Sequence, residues 1–117
     1  MGKLTTHVLD TASGRPAAGM QIELSVLQDS AWKPIKRVRT NADGRTGVPL
    51  LEGARLKRGE YRLVFDVAGY FRRKKVRLSR PPFLGRVPIR FGIADPKAHY
   101  HVPLLCSPFA YSTYRGS

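Results

Sequence analysis

Met20–Val26 reads MQIELSV, and in it Ile22, Leu24 and Val26 alternate with Gln21, Glu23 and Ser25. A period of two sends one set toward a core and the other toward water, as a strand does and a helix cannot. The pattern recurs further along. In YRLVFDV, Tyr61, Leu63, Phe65 and Val67 share a side, Arg62 and Asp66 take the other, and Val64 lies between them. In RVPIRF, Val87, Ile89 and Phe91 alternate with Arg86, Pro88 and Arg90. Pro88 has no amide hydrogen for a ladder, which predicts an edge strand. Turn signals separate the runs: Ser13-Gly14-Arg15-Pro16, Asn41-Ala42-Asp43-Gly44, Lys57-Arg58-Gly59, Pro81-Pro82 and Asp95-Pro96. About seven or eight short strands punctuated in this way predict a β-sandwich, because each half-buried sheet must cover its apolar face with another. One short helix is expected over Ala68–Lys75, against the grain of its basic run and Gly69.

The chain has 117 residues, and its 42% hydrophobic and 25% charged content predicts one ordinary globular domain over 1–117. Its formal charge is +13, from 21 Lys and Arg against 8 Asp and Glu. Such an excess attracts nucleic acid, anionic lipid or a small acidic ligand. Between Arg55 and Arg90 there are twelve basic residues against only Glu60 and Asp66, and Arg72, Arg73, Lys74 and Lys75 are consecutive. A run of that kind is most often a solvated face. Cys106 is the only cysteine, which excludes an intrachain disulfide and a Cys-based zinc site and fits a reducing compartment. No apolar stretch approaches the ~20 residues of a membrane span or the core of a secretion signal, so the expected setting is soluble and cytoplasmic, with no membrane partner.

Three histidines carry the candidate chemistry. In LTTHVLD, His7 shares a side with Thr5 and Leu9; in HYHVPLL, His99 and His101 share one side while Tyr100, Val102 and Leu104 take the other. At period two the Cα atoms of His99 and His101 are ~6.5–7 Å apart, so both rings can face one cavity. One reading is a facial metal triad. Against it, Asp10, the nearest carboxylate in sequence to His7, falls on the opposite side of an ideal strand. A second reading is acid–base catalysis by imidazoles that a positive field keeps neutral. The third is ordinary strand histidines hydrogen-bonded to their neighbours. Arg45 follows the Asn-Ala-Asp-Gly turn, where its fork of donors suits an anionic or carbonyl-rich ligand, or where it is simply a surface turn arginine. The run from Tyr100 to Ser117, YHVPLLCSPFAYSTYRGS, is dense in His, Tyr, Ser, Arg and Gly, which predicts an end that is held in place and used.

These residues together resemble a known family. HVLDTASGRPAAGMQI (His7–Ile22) and YHVPLLCSPFAYST (Tyr100–Thr113) resemble the two signature segments of the transthyretin family. The closing Tyr114-Arg115-Gly116-Ser117 is similar to the tetrapeptide of its enzymatic branch, the 5-hydroxyisourate hydrolases; TNADGRTG (Thr40–Gly47) and VPIRFGIAD (Val87–Asp95) also fit. The resemblance implies an all-β, transthyretin-like sandwich of two four-stranded sheets with one short helix, assembled as a homotetramer, a dimer of dimers, with active sites in a channel between dimers. It implies hydrolysis of 5-hydroxyisourate, a small anionic purine-derived substrate of urate degradation, to 2-oxo-4-hydroxy-4-carboxy-5-ureidoimidazoline, with no metal and no cofactor. By motif, His7, Arg45 and His101 match the polar site residues, and Tyr114 and Ser117 belong to the closing tetrapeptide. His7 and His101 then activate water, Arg45 binds substrate and steadies the oxyanion, Tyr114 holds the flat ring, Arg115 anchors the tail, and Ser117 brings a hydroxyl and carboxylate near the site. Ninety-four positions separate His7 from His101, so their meeting is implied by the resemblance and not by spacing.

The chain departs from the family pattern at Gly47 and at Gly85-Arg86, where acidic residues are usual. Neither position removes a candidate site residue. Two other functions compete: a ligand carrier that binds without turnover, against which the paired histidines and YRGS stand, and a basic nucleic-acid binder. The second has only Tyr70 and Phe71 beside the 72–75 run to stack on bases, so nucleic acid is not the expected partner.

Overall fold

The computed structural model describes residues 1–117. Its first sheet is centred on two strands from opposite ends of the chain. Strands β1 (Lys3–Asp10) and β8 (His99–Cys106) run parallel in unbroken register, from Lys3 beside His99 to Asp10 beside Cys106. Around them pair β2 (Arg15–Pro16) and β5 (Leu51–Glu52) on β1, and β9 (Tyr111–Thr113) on β8. The second sheet orders β4 (Ala31–Arg39), β3 (Gln21–Gln28), β6 (Gly59–Asp66) and β7 (Arg86–Ile93), all antiparallel. Pro88 lies on β7 at the edge, as its missing amide hydrogen requires. The sandwich sets five strands against four, and two of the five, β2 and β5, are only two residues long.

The alternation read from the sequence fills the space between the sheets. Leu4, Val8 and Leu104 from one side meet Ile22, Leu24, Leu63 and Phe65 from the other, each at most 2% exposed, within one apolar cluster. Burial of side chains this size contributes ~1.5–3 kcal/mol each. Ser25 departs from the expectation of a wet position, since it is fully buried. It keeps the outer side of its strand, opposite Arg62, but a bulge at Ile35 of β4 shifts the register there. Beside it, Arg62 and Arg90 stack on Trp32 at 4.7 and 5.2 Å, so this outer face is roofed by side chains.

The helix α1 spans Val67–Arg73, shorter than the expected Ala68–Lys75. Asp66 caps it by accepting from the Gly69 amide, and Lys75 has φ +62°, which ends the helical turn. Tyr70 and Phe71 are buried, and the Tyr70 hydroxyl donates to Asp10 at 2.8 Å. Asp10 also accepts from the Ala12 and Ser13 amides, which fixes the end of β1. Burial raises the Asp10 pKa, but these hydrogen bonds outweigh it and hold the carboxyl below its ordinary value. Burial, then Asp10, pushes the free Cys106 thiol up to about 12, which leaves it inert as a nucleophile. No helix is long and apolar enough to cross a membrane.

Candidate active site

Because β1 is parallel to β8, residues of like parity on the two strands project from the same face. On β1 the buried positions are Leu4, Thr6, Val8 and Asp10, so Thr5 and His7 point away from the core. On β8 the buried Tyr100, Val102 and Leu104 leave His99 and His101 on that same outer side. Thr5 is the register partner of His101 and Lys3 that of His99. The rings of His99 and His101 lie 6.4 Å apart. Between them stands the Thr5 hydroxyl, 3.0 Å from His99 Nε2 and 2.8 Å from His101 Nδ1.

Arg45 reaches this face through its turn. Asn41 Oδ1 accepts from the Asp43 and Arg45 amides at 2.9 and 3.1 Å, and the Asn41 amide donates to the Arg45 carbonyl at 2.7 Å. The loop is then stitched to β1, where the Val8 amide donates to the Gly44 carbonyl at 2.9 Å, next to His7. Gly44 has φ +74°, and a Cβ on it would sit 2.4 Å from the Val8 carbonyl oxygen. Only glycine meets both demands. Arg45 forms no ion pair with any carboxylate, so its charge acts on the imidazoles. Burial first and Arg45 second hold the His7 pKa below its ordinary value, over the opposing pull of Asp43. Burial, Arg45, His99 and His7, in that order, lower that of His101. Both rings are therefore neutral at neutral pH and able to accept a proton.

The C-terminal segment closes the other flank. After β9, the Gly116 amide donates to the His101 carbonyl at 2.8 Å, and a Cβ on Gly116 would come within 2.6 Å of His101 Cδ2. Glycine here lets the backbone lie against the ring. Arg115 anchors this path, its guanidinium 4.2 Å from the Tyr100 ring centroid and donating to the His99 carbonyl at 3.3 Å. Ser117 is exposed, one residue beyond the Gly116–His101 bridge. Tyr114 is 60% exposed and lines a groove of about 330 Å³ with Phe91, Tyr100, Val102 and Thr113, at the sheet edge rather than against the imidazoles.

Of the residues singled out in the sequence, His7, His101 and Arg45 come together, with His99 beside them. Three supports went unassigned there: Thr5, Gly44 and Gly116. Each lies within two residues of one singled out, and the two glycines sit in motifs already recognised. A groove of about 380 Å³ lies elsewhere, on the outer face of the second sheet among Glu23, Arg37, Arg39, Asp66 and Arg86, and includes none of these residues.

The HIUase/Transthyretin family model matches residues 4–116. The chain is 59% identical over 116 residues to 5-hydroxyisourate hydrolase 2 of Rhizobium meliloti, covering 99% of this chain and 97% of that one. Among solved structures it is similar to an (S)-allantoin synthase, with a TM-score of 0.94 and 46% identity over 99% of this chain, although it spans only 44% of that longer chain. It is also similar to sea bream transthyretin in complex with thyroxine, with a TM-score of 0.86 and 29% identity over 97% of this chain and 94% of that one. The fold, the matched length and the full-length similarity agree: the chain belongs to the HIUase/Transthyretin family.

Proposed function

We propose that the outer face of β1 and β8 is the hydrolytic site of this chain, with His7, His101 and Arg45 as its working groups. The chain is a hydrolase acting on 5-hydroxyisourate in urate degradation, as its full-length relative is named. The observation that carries the site assignment is a pair of neutral imidazoles beside a guanidinium with no carboxylate partner. An anionic substrate ring supplies the missing partner for Arg45.

In this reading His101 and His7 orient a water, and His101 takes its proton as the oxygen bonds to the ring carbonyl carbon. The carbonyl electron pair moves onto oxygen, where Arg45 offsets the charge. When the ring C–N bond breaks, the imidazolium returns its proton to the leaving nitrogen. The product is 2-oxo-4-hydroxy-4-carboxy-5-ureidoimidazoline, and the sequence of steps calls on no cofactor.

Tyr114 and Ser117 belong to the same reading as substrate-facing tail residues in an assembled homotetramer, a dimer of dimers with sites between its halves. Support comes from the sheet edges at β7 and β9 and from Phe109 and Tyr114, which are 71% and 60% exposed. A cytoplasmic setting rests on the lone free thiol of Cys106.

The test is spectrophotometric, with urate oxidase supplying fresh 5-hydroxyisourate. Its decay accelerates over buffer with the wild-type chain, and that acceleration drops at least ~100-fold in His101→Ala. Saturable binding without acceleration, the behaviour of a carrier, overturns the reading.

A further inference from the structure

A threonine hydroxyl has one hydrogen to give and lone pairs to receive with. Thr5 Oγ1 lies within hydrogen-bond distance of two ring nitrogens, His99 Nε2 and His101 Nδ1. While both rings are neutral, one nitrogen accepts the hydroxyl hydrogen and the other must donate its own N–H to the oxygen. The two histidines are thereby forced into the same tautomer, both Nδ1–H or both Nε2–H.

His101 has little other freedom. Its backbone carbonyl is tied to the Gly116 amide, and the Gly116 backbone lies close to its Cδ2 edge. Nδ1 is taken by Thr5, so Nε2 is the ring nitrogen left without a protein partner and the one that meets water. An imidazole can take a proton at Nε2 only if its hydrogen sits on Nδ1. We propose that Thr5 is a positioning residue for the hydrolysis: it donates to His99 Nε2, accepts from His101 Nδ1–H, and so presents the lone pair of His101 Nε2 to the attacking water. This rests on the assignment of His101 as the base made above. In this arrangement His99 Nε2 is the acceptor that takes the Thr5 hydrogen away from His101. Thr5 keeps its own hydrogen throughout the cycle, since the proton taken from water rides on Nε2 and leaves from there. The logic is that of the third group which orients the base in a nucleophile–base–orienter array, where loss of the correct tautomer is costly even with geometry intact.

The experiment uses ¹⁵N-histidine-labelled wild-type chain, Thr5→Val, which keeps the shape and removes the hydroxyl, and Thr5→Ser, which restores it. Without substrate, at a pH where the rings are neutral, ring ¹⁵N shifts of the wild type report His101 protonated on Nδ1 and His99 unprotonated on Nε2. In Thr5→Val, His101 redistributes toward the Nε2–H form, kcat falls about 10- to 100-fold and KM changes less than about twofold. Thr5→Ser recovers the tautomer, and kcat to within about threefold. A wild-type His101 protonated on Nε2 overturns the proposal, as does unchanged kcat in Thr5→Val or a Thr5→Ser as impaired as Thr5→Val. The tautomer measurement needs no substrate, so it answers for Thr5 even where turnover of 5-hydroxyisourate fails.

Discussion

The two outer faces of this sandwich treat charge in opposite ways. On the second sheet every strand-borne ion pair is closed across neighbouring strands: Arg37 of β4 donates to Glu23 of β3 at 2.8 Å, and Arg90 of β7 to Glu60 of β6. Trp32 lies under two further cation–ring contacts on that face. On the first sheet the polar groups beside the turn are the neutral imidazoles of His7 and His101, the His99 ring, the Thr5 hydroxyl that bridges His99 and His101, and the Arg45 guanidinium, with no carboxylate closing on any of them. Paired charges have spent their interaction within the fold. Arg45, held by backbone hydrogen bonds and without a carboxylate partner, keeps its charge for a ligand, which is the ground on which the imidazole face is proposed as the reactive one.

Removing Arg45 tests that contrast most severely. Arg45→Met is expected to lower kcat about 10²- to 10³-fold, the range for loss of one oxyanion donor. It also removes a cation that depresses both imidazoles, so the acid limb of the rate profile moves to higher pH, toward the ordinary ~6.5. In the wild type that limb lies below ~6.5, because the bases stay neutral further into acid. Stability follows with the same sign. Between the lowered native values and the ordinary one, the unfolded chain binds more protons than the folded chain, so stability falls as pH drops through that window. A pH–rate profile of both proteins decides the matter, and a limb that does not move with Arg45→Met contradicts the electrostatic coupling.

Gly44 is what holds Arg45 to β1, and it makes a smaller but still measurable break. Gly44→Ala puts a Cβ at a φ of +74° and within 2.4 Å of the Val8 carbonyl oxygen. The expected cost is about 1–3 kcal/mol of stability, read as a lower Tm, with kcat reduced more than KM is raised. A variant as stable as wild type shows that the loop tolerates displacement from β1, and that Arg45 is placed by something other than this stitch.

How far all this could be read in advance differs between the two faces as well. The alternation at Ile22, Leu24, Leu63, Phe65, Val87 and Ile89 predicted the core because burial acts on each side chain locally, and each of these is at most 8% exposed. The same rule put His7 beside Thr5 and His99 beside His101. It could not join the two pairs, because the parallel contact of β1 with β8 is set by packing across some ninety residues; only the family likeness of the two segments implied it. Thr5 illustrates the remaining gap. Its side was legible, but a bridge to both His99 and His101 depends on a register that no local pattern encodes. Ser25 failed in the other direction, since a polar residue on the polar side became buried once Trp32 and Arg62 folded over that face.

The mildest substitution marks the far end of the comparison. Arg37 is paired with Glu23, but its side chain is 82% exposed, so the pair is screened by water and salt. Arg37→Ala should therefore change stability by no more than about 1 kcal/mol and leave kcat and KM for 5-hydroxyisourate within about twofold. Thermal melts at low and high salt, together with the spectrophotometric assay, measure both. No such tolerance is expected at Arg45 on the imidazole face, although the two residues carry the same charge. What separates them is that Arg37 already has its anion and Arg45 waits for one. An Arg37→Ala enzyme impaired as badly as Arg45→Met would mean that the second sheet's charges reach the site, and the division between the two faces would have to be abandoned.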